Sequence, residues 1–307
     1  MPLGIFGFNA LWSPFFILSI VLITILYFLV TIKWRNRFSE SRKLTKKEAT
    51  YFILAMILLY IAKGSPVEVL SGIMFSMHMT QMAILYLVFT PILVMGIPDW
   101  IWKVFIKLPV VKQMFAIMTK PIVKLLAFNV LFSMYHIPTV FDHVRTDAVL
   151  HNLFTVILFM LAVFMWWPLI KPVDEDVELS GLKRIGYILG SAVLLTPACG
   201  LIIFAENPLY ATYYDSSTWL KALALCVPAS SLSGLSLSGP ELFTSMSLQN
   251  DQQLGGVVMK IIQEIVFGIA LASLFFQWYR KDQDQAQTQT ESQTSIGYKT
   301  ADPKLVE

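Results

Sequence analysis

The sequence predicts an all-α polytopic integral membrane protein, a bundle of seven transmembrane helices with the N-terminus outside and the C-terminus in the cytoplasm. Three observations carry this. Of the 307 residues, 56% are hydrophobic and only 14% are charged, where a soluble domain carries about 25%. The apolar residues fall in runs close to the ~20 needed to cross a bilayer. Lys and Arg also cluster in alternate loops, as they do on the cytoplasmic side of a membrane. Lipid offers the backbone no hydrogen-bond partners, and no alternating barrel pattern appears, so the spans are helices.

The elements follow in order. Span one runs from Pro14 to Ile32 and stops at a basic loop holding Lys33, Arg35, Arg37, Arg42, Lys43, Lys46 and Lys47. Met1 to Ser13 has neither the basic start nor the cleavage site of a signal peptide, so this first run stays as a span. Span two covers Ala49 to Pro66, with Lys63 near its far end. Span three covers Ser71 to Gly96, with Pro91 late in it. The loop from Ile97 to Lys120, with Trp100, Trp102, Lys103, Lys107 and Lys112, reads as an interfacial amphipathic segment. Span four is Pro121 to Ile137, and Lys124 near its start can snorkel to the interface.

A short polar loop with Asp142, His143, Arg145 and Asp147 leads to span five, Val149 to Ile170, which Trp166, Trp167 and Pro168 close as an interface anchor. A mixed loop holds Asp174, Glu175, Asp176 and Glu178 with Lys171, Lys183 and Arg184. Span six is Ile185 to Ala205. In the long connection Glu206 to Gln253, the apolar piece Trp219 to Ala229 is too short to span and could dip into the interface; Pro228 to Pro240 is irregular by composition. Span seven is Leu254 to Trp278. The chain thus divides into a transmembrane domain, 1–280, and a polar cytoplasmic tail, 281–307, whose composition reads as disordered.

Orientation follows from the basic residues. One side holds the cluster after span one, the lysines of 97–120, Lys171, Lys183 and Arg184, and Arg280 with Lys281. The other holds Lys63, Arg145 and Lys221. The first side is therefore cytoplasmic and the address is the plasma membrane. The net charge of +3 sits in these flanking loops and gives no basis for a nucleic-acid partner. Cys199 and Cys226 form no CxxC; they pair only if both face outside. No nucleophile–base set, phosphate loop or metal-hydrolase motif appears, so the sequence does not read as an enzyme.

The candidate chemistry lies at the outer side. In span three, Met74, His78 and Met82 are four apart and share a helix face, with Met77 and Met79 beside them. Thioether and imidazole suit copper, Cu(I) above all; Met is also ordinary core filler. His78 is expected roughly 10 Å deep at 1.5 Å per residue. His136 ends span four, His143 lies in the next loop, and His151 begins span five, so all four histidines fall on the outer side. With Asp142 as ligand or orienting group they make a plausible copper set. Hydrogen-bonded or interfacial histidines would account for the same positions.

Span seven adds Asp251, Met259, Lys260 and Glu264. Lys260 and Glu264 are four apart and can pair. Glu264 lies near mid-membrane, where ionisable groups are costly, either functional or a buried pair that orients the helix. Gly255 and Gly256 permit close helix approach, which turns Met259 inward.

Met77-His78-Met79-Thr80-Gln81-Met82 resembles the His-Met-x-Gln-His-Met signature of the CtaG family of cytochrome c oxidase assembly factors. The resemblance continues in His136-Ile137-Pro138 with Asp142, Leu150-His151-Asn152-Leu153, Phe164-Met165-Trp166-Trp167-Pro168, and Asp251-Gln252-Gln253-Leu254-Gly255-Gly256 with Met259. It departs at Met82 and Thr155, where many members carry histidine. The resemblance implies a factor needed for an active caa(3)-type oxidase, with subunits of that haem-copper oxidase as partners. Ligand chemistry adds copper as the cargo, held transiently by His78, His136, His151 and nearby methionines. A non-metal scaffold holding an oxidase subunit, or a small-solute or ion transporter using Lys260 and Glu264, are the alternatives; no internal repeat of the transporter kind is present.

Overall fold

A computed structural model describes residues 3–38, 40–118, 120–171, 181–232, 235 and 237–300. Every regular element among them is helical. After a short 3₁₀ turn come α1 (Gly7–Trp12) and α2 (Pro14–Phe28). Proline opens α2 after Ser13, whose φ of 38° lies in the left-handed region. A π-helical turn, Leu29–Lys33, ends it at the basic loop. α3 (Lys46–Lys63) opens with a capping box: Thr45 Oγ1 accepts from the Glu48 amide, and the Glu48 carboxylate accepts from the Thr45 amide. Arg42 clamps the same carboxylate at 2.5 Å.

The chain bends by 41° into α4 (Pro66–Ile73). It then breaks at Met74, whose backbone is extended (φ −124°, ψ 137°), before α5 (Phe75–Ala83). Span three therefore begins at Phe75, not Ser71, and His78 lies in its first turn. A π-helical segment, Ile84–Phe89, carries it on to α6 (Thr90–Gly96). α7 (Asp99–Ile106) and α8 (Pro109–Ile117) form the expected flanking segment. α9 (Pro121–Tyr135) is followed by α10 (Pro138–Thr146), a helix where the sequence reads as a loop; Pro138 supplies its N1 position. α11 (Ala148–Ile170) and α12 (Gly181–Ile203) are long spans. Short α13 (Ala211–Tyr214), α14 (Ser216–Cys226) and α15 (Ala229–Leu232) lie in the connection that follows α12. α16 (Leu248–Thr300) runs through span seven into the polar tail. The acidic stretch Asp174 to Glu178 lies outside the described residues.

By length and composition five helical stretches can cross a membrane: Leu3–Lys33, Phe75–Gly96, Ala148–Ile170, Gly181–Ile203 and Leu248–Gln283. The pairs Lys46–Lys63 with Pro66–Ile73 and Val111–Ile117 with Pro121–Tyr135 each add one if a bent pair is a single span. α16 packs on α12 and α5, α3 on α6, and α9 on both α11 and α12. Gly255 makes the α16–α5 contact possible: a Cβ there would stand 2.7 Å from Phe75 Cδ1 and 3.1 Å from Met79 Cγ. Met259, one turn on, is wholly buried as expected.

Three expectations are corrected by packing. Trp166 and Trp167 are core residues, 2% and 4% exposed, not an interface anchor; Trp166 donates to the Tyr86 carbonyl at 3.0 Å, one of the carbonyls in the π-helical segment. Lys124 does not snorkel outward but is buried, with its ammonium 5.9 Å from the centre of the Phe115 ring. Trp219 does not dip toward lipid; it is fully buried in the protein, on the helix α14 that packs against α4. Cys199 and Cys226 are both free.

Candidate functional site

Two of the predicted histidines meet. His78, from the first turn of α5, and His151, from the first turn of α11, line one internal cavity together with Met82, Gln81, Tyr135 and Thr155. Each histidine's helix start is fixed by a carboxylate. Asp147 Oδ1 accepts from the amides of Val149 and Leu150 at 2.9 Å each, which caps α11. Asp251, reaching across from α16, accepts from the amides of Phe75 at 2.7 Å and Ser76 at 3.3 Å and from the Ser76 hydroxyl. A carboxylate at a helix N-terminus satisfies orphan amides and complements the helix dipole.

The imidazoles are held but not used up. His78 Nε2 is 3.4 Å from the Tyr135 hydroxyl, while its Nδ1 is buried without a partner. His136 caps α9; its Nδ1 donates to the Phe132 carbonyl at 2.7 Å, which leaves Nε2 buried and unpartnered. His151 Nδ1 is likewise buried and unpartnered. An unpaired buried polar atom costs free energy, and three imidazole nitrogens of this region are in that state. His136 does not line the cavity. It lies behind Tyr135, whose ring is 5.1 Å from its own and 6.0 Å from that of His78.

Two cations and one carboxylate stand around the cavity. Lys63 lines it and pairs with Glu68 at 2.7 Å. Gln81 Nε2 donates to the same carboxylate at 2.5 Å and to the Ala62 carbonyl at 2.7 Å. Arg145 is also buried, 1% exposed, and donates to the Ser71 carbonyl at 3.2 Å.

The connection between α12 and α16 packs against the start of α5. Tyr210 stacks on Phe75 at 4.6 Å and donates to the His136 carbonyl at 2.9 Å; Tyr213 donates to the Ser71 carbonyl at 3.0 Å. Asp142 holds this loop in place by accepting from the Ala211 amide at 3.0 Å, the Thr212 amide at 2.9 Å and the Thr212 hydroxyl at 2.6 Å. It spends its carboxylate on that loop instead of on the histidines. His143, next to it on α10, is exposed and faces away. Met74 is half-buried and is not among the cavity residues; the break in the helix at that position takes it off the His78 face.

Lys260 and Glu264 pair at 2.6 Å as the spacing predicts, but outside the cavity and facing outward, not as a buried pair. Sequence reasoning missed Tyr135, Gln81, Glu68 and Asp147. Tyr135 beside His136 reads as an interfacial aromatic, and Asp147 carries only the generic signal of an N-cap before an apolar run.

What the cavity offers is two imidazoles and one thioether, beside a Lys63 that is paired with Glu68. Among the described residues no three His, Cys, Asp or Glu side chains form a group able to hold a metal ion. A closed zinc-like shell is not built from those ligands. Low-coordinate imidazole–thioether sets are the kind that suits Cu(I).

The model of the cytochrome c oxidase caa3 assembly factor family (CtaG) matches residues 25–281. No curated protein and no solved structure matches.

Proposed function

This chain belongs to the family of cytochrome c oxidase caa3 assembly factors, and from that premise we propose that it handles copper for the oxidase at the outer face of the membrane. The observation that carries the reading is the shared cavity of His78, His151 and Met82, with unpartnered imidazole nitrogens on both histidines. Met82 and Thr155, where the resembled signature carries histidine, line that same cavity. That two positions at which the resembled family carries histidine fall in one cavity with His78 and His151 supports the reading. Met82 replaces one imidazole with a soft thioether, and Thr155, whose hydroxyl donates to the His151 carbonyl at 2.8 Å, replaces the other with a non-ligand.

In this reading Cu(I) is cargo. His78 and His151 hold it with Met82, and His136 supplies a further nitrogen if Tyr135 turns aside. A short ligand set gives weak, open coordination, which suits hand-over to a second protein better than a closed tetrahedral site. Asp251 and Asp147 orient the two helix starts, and Asp142 keeps the Tyr210–Tyr213 cover in place. The chain crosses the plasma membrane seven times with its N-terminus outside, counting each bent pair as one span. The Lys and Arg distribution supports that orientation, and it sets the histidine cavity at the outer leaflet.

The test is copper content of the purified protein after loading with Cu(I) under reducing conditions. Stoichiometric copper is expected in the wild type and in His143→Ala, and loss of it in a variant lacking His78, His136 and His151. Equal, low copper in all three would leave a metal-free scaffold for an oxidase subunit as the better reading.

A further inference from the structure

Span seven carries an ion pair that the histidine cavity does not use. Lys260 Nζ and Glu264 Oε1 are 2.6 Å apart, one turn apart on α16. Lys260 is tied inward as well, donating to Thr196 Oγ1 on α12 at 2.9 Å. Glu264 is turned outward: its side chain is 57% exposed, against 30% for Lys260. The neighbouring Gln263 is fully buried and donates to the Ala192 carbonyl at 3.1 Å. Glu264 is ten residues past Leu254, roughly 15 Å along the helix, which puts its exposed carboxylate near mid-membrane. Lipid tails cannot solvate it, and one ammonium satisfies only part of a group with about four acceptor positions.

The helix next to it is bare. A Cβ added at Gly268 would meet nothing within 4 Å. Gly268 and Ala272, four apart, line a shallow groove with Leu271 and Phe275 of α16 and Ile185 and Leu189 of α12. Small residues at this spacing let a second helix approach closely in a membrane.

We infer that the Glu264–Ala272 face of α16 docks a membrane-spanning helix of the oxidase subunit under assembly, one that presents a cationic or hydrogen-bond-donating side chain to Glu264 and crosses over Gly268. Charge complementarity selects this occupant. An acyl chain has no donor. A second copy would bring only another Lys260, whose ammonium is already held by its own Glu264 and Thr196, and so offers Glu264 no free donor. The inference rests on the assembly-factor reading but not on copper.

The experiment places benzoyl-phenylalanine at Ile261, 53% exposed on this face, and as a control at Leu22, 56% exposed on α2. The full chain is irradiated in membranes of cells making the oxidase, and adducts are identified by mass. An oxidase subunit joined at Ile261 and not at Leu22 is expected. Glu264→Leu should lower that adduct roughly threefold to tenfold, as loss of an interhelical hydrogen bond in lipid would; because the change also takes the ion-pair partner from Lys260, the amount of chain in the membrane is measured alongside and the adduct is scaled to it. Gly268→Leu, which fills the groove from outside the fold, should abolish the adduct. A dimer adduct, no adduct, or an adduct undiminished in both variants overturns the inference. Deleting the chain separates the two failures. Normal oxidase without it removes the assembly-factor reading itself, whereas oxidase that needs the chain but tolerates both substitutions removes only the docking face.

Discussion

Asp251, on the last helix, accepts a hydrogen bond at 2.7 Å from the backbone amide of Phe75, 176 positions earlier in the chain. The contact joins span seven to the start of span three and sets the first turn that carries His78. The break at Met74 frees the α5 amides, and Asp251 is the group that takes them.

Asp251→Ala removes a buried acceptor from at least two amides, which should destabilise the protein by about 1–3 kcal/mol. Thermal unfolding in detergent reads this directly. The same variant should lose bound Cu(I), since His78 no longer has a fixed helix start. An unchanged midpoint would show that water or a neighbour replaces the cap.

Asp142 is a tether for the connection between α12 and α16. Asp142→Ala should leave the spans intact yet expose Ala211 to Tyr214, so limited proteolysis in 206–215 should become faster. His143→Ala, on the exposed side of the same helix, should not change the cleavage pattern. Equal protection in both variants would count against the tether.

Gly96 and Gly268 make a contrast in packing. A Cβ at Gly96 would stand 2.6 Å from the backbone nitrogen of Phe52, whereas one at Gly268 meets nothing within 4 Å. Gly96 also offers its carbonyl to the Tyr27 hydroxyl at 2.8 Å. Gly96→Ala must push two backbones apart and should cost about 1–3 kcal/mol. Gly268→Ala should stay within about 1 kcal/mol of wild type and lean toward stabilising, from helix propensity. Chemical denaturation of the two variants side by side decides it.

Asp215 gives α14 a pH response. Hydrogen bonds from Thr218 and Ser217 hold its carboxyl down, from 3.8 to about 2, as it caps α14. The folded form is the stronger acid. Its stabilising contribution is therefore complete above about pH 4 and lost as pH falls toward the folded value. Trp219, fully buried on α14, reports on this helix by fluorescence. Emission should be flat from neutral pH to about pH 4 and then shift, with the acid component missing in Asp215→Asn. A component lost in that variant but centred above about pH 5 would contradict the assignment.

Composition and the spacing of charges are enough to fix the class of solvent each stretch needs. Long apolar runs, sparse charge and sided lysines and arginines are local properties, and lipid turns them into helical spans with little freedom left. The spacing of Lys260 and Glu264 fixed their pairing, and Gly255 and Gly256 announced a close approach. The histidines could be placed at one end of the bundle by the same reasoning. Which faces turn inward was decided only by tertiary structure, because a helix apolar all round has no stripe to mark its buried side. Packing chose His78 and His151 for one cavity and left His143 outside. It buried Trp166, Trp167 and Lys124, and turned Glu264 out. It also gave Asp251 and Asp142 their partners, far away in the chain. Each of these outcomes depends on the neighbour a side chain meets, and that neighbour is set by the assembly of the helices.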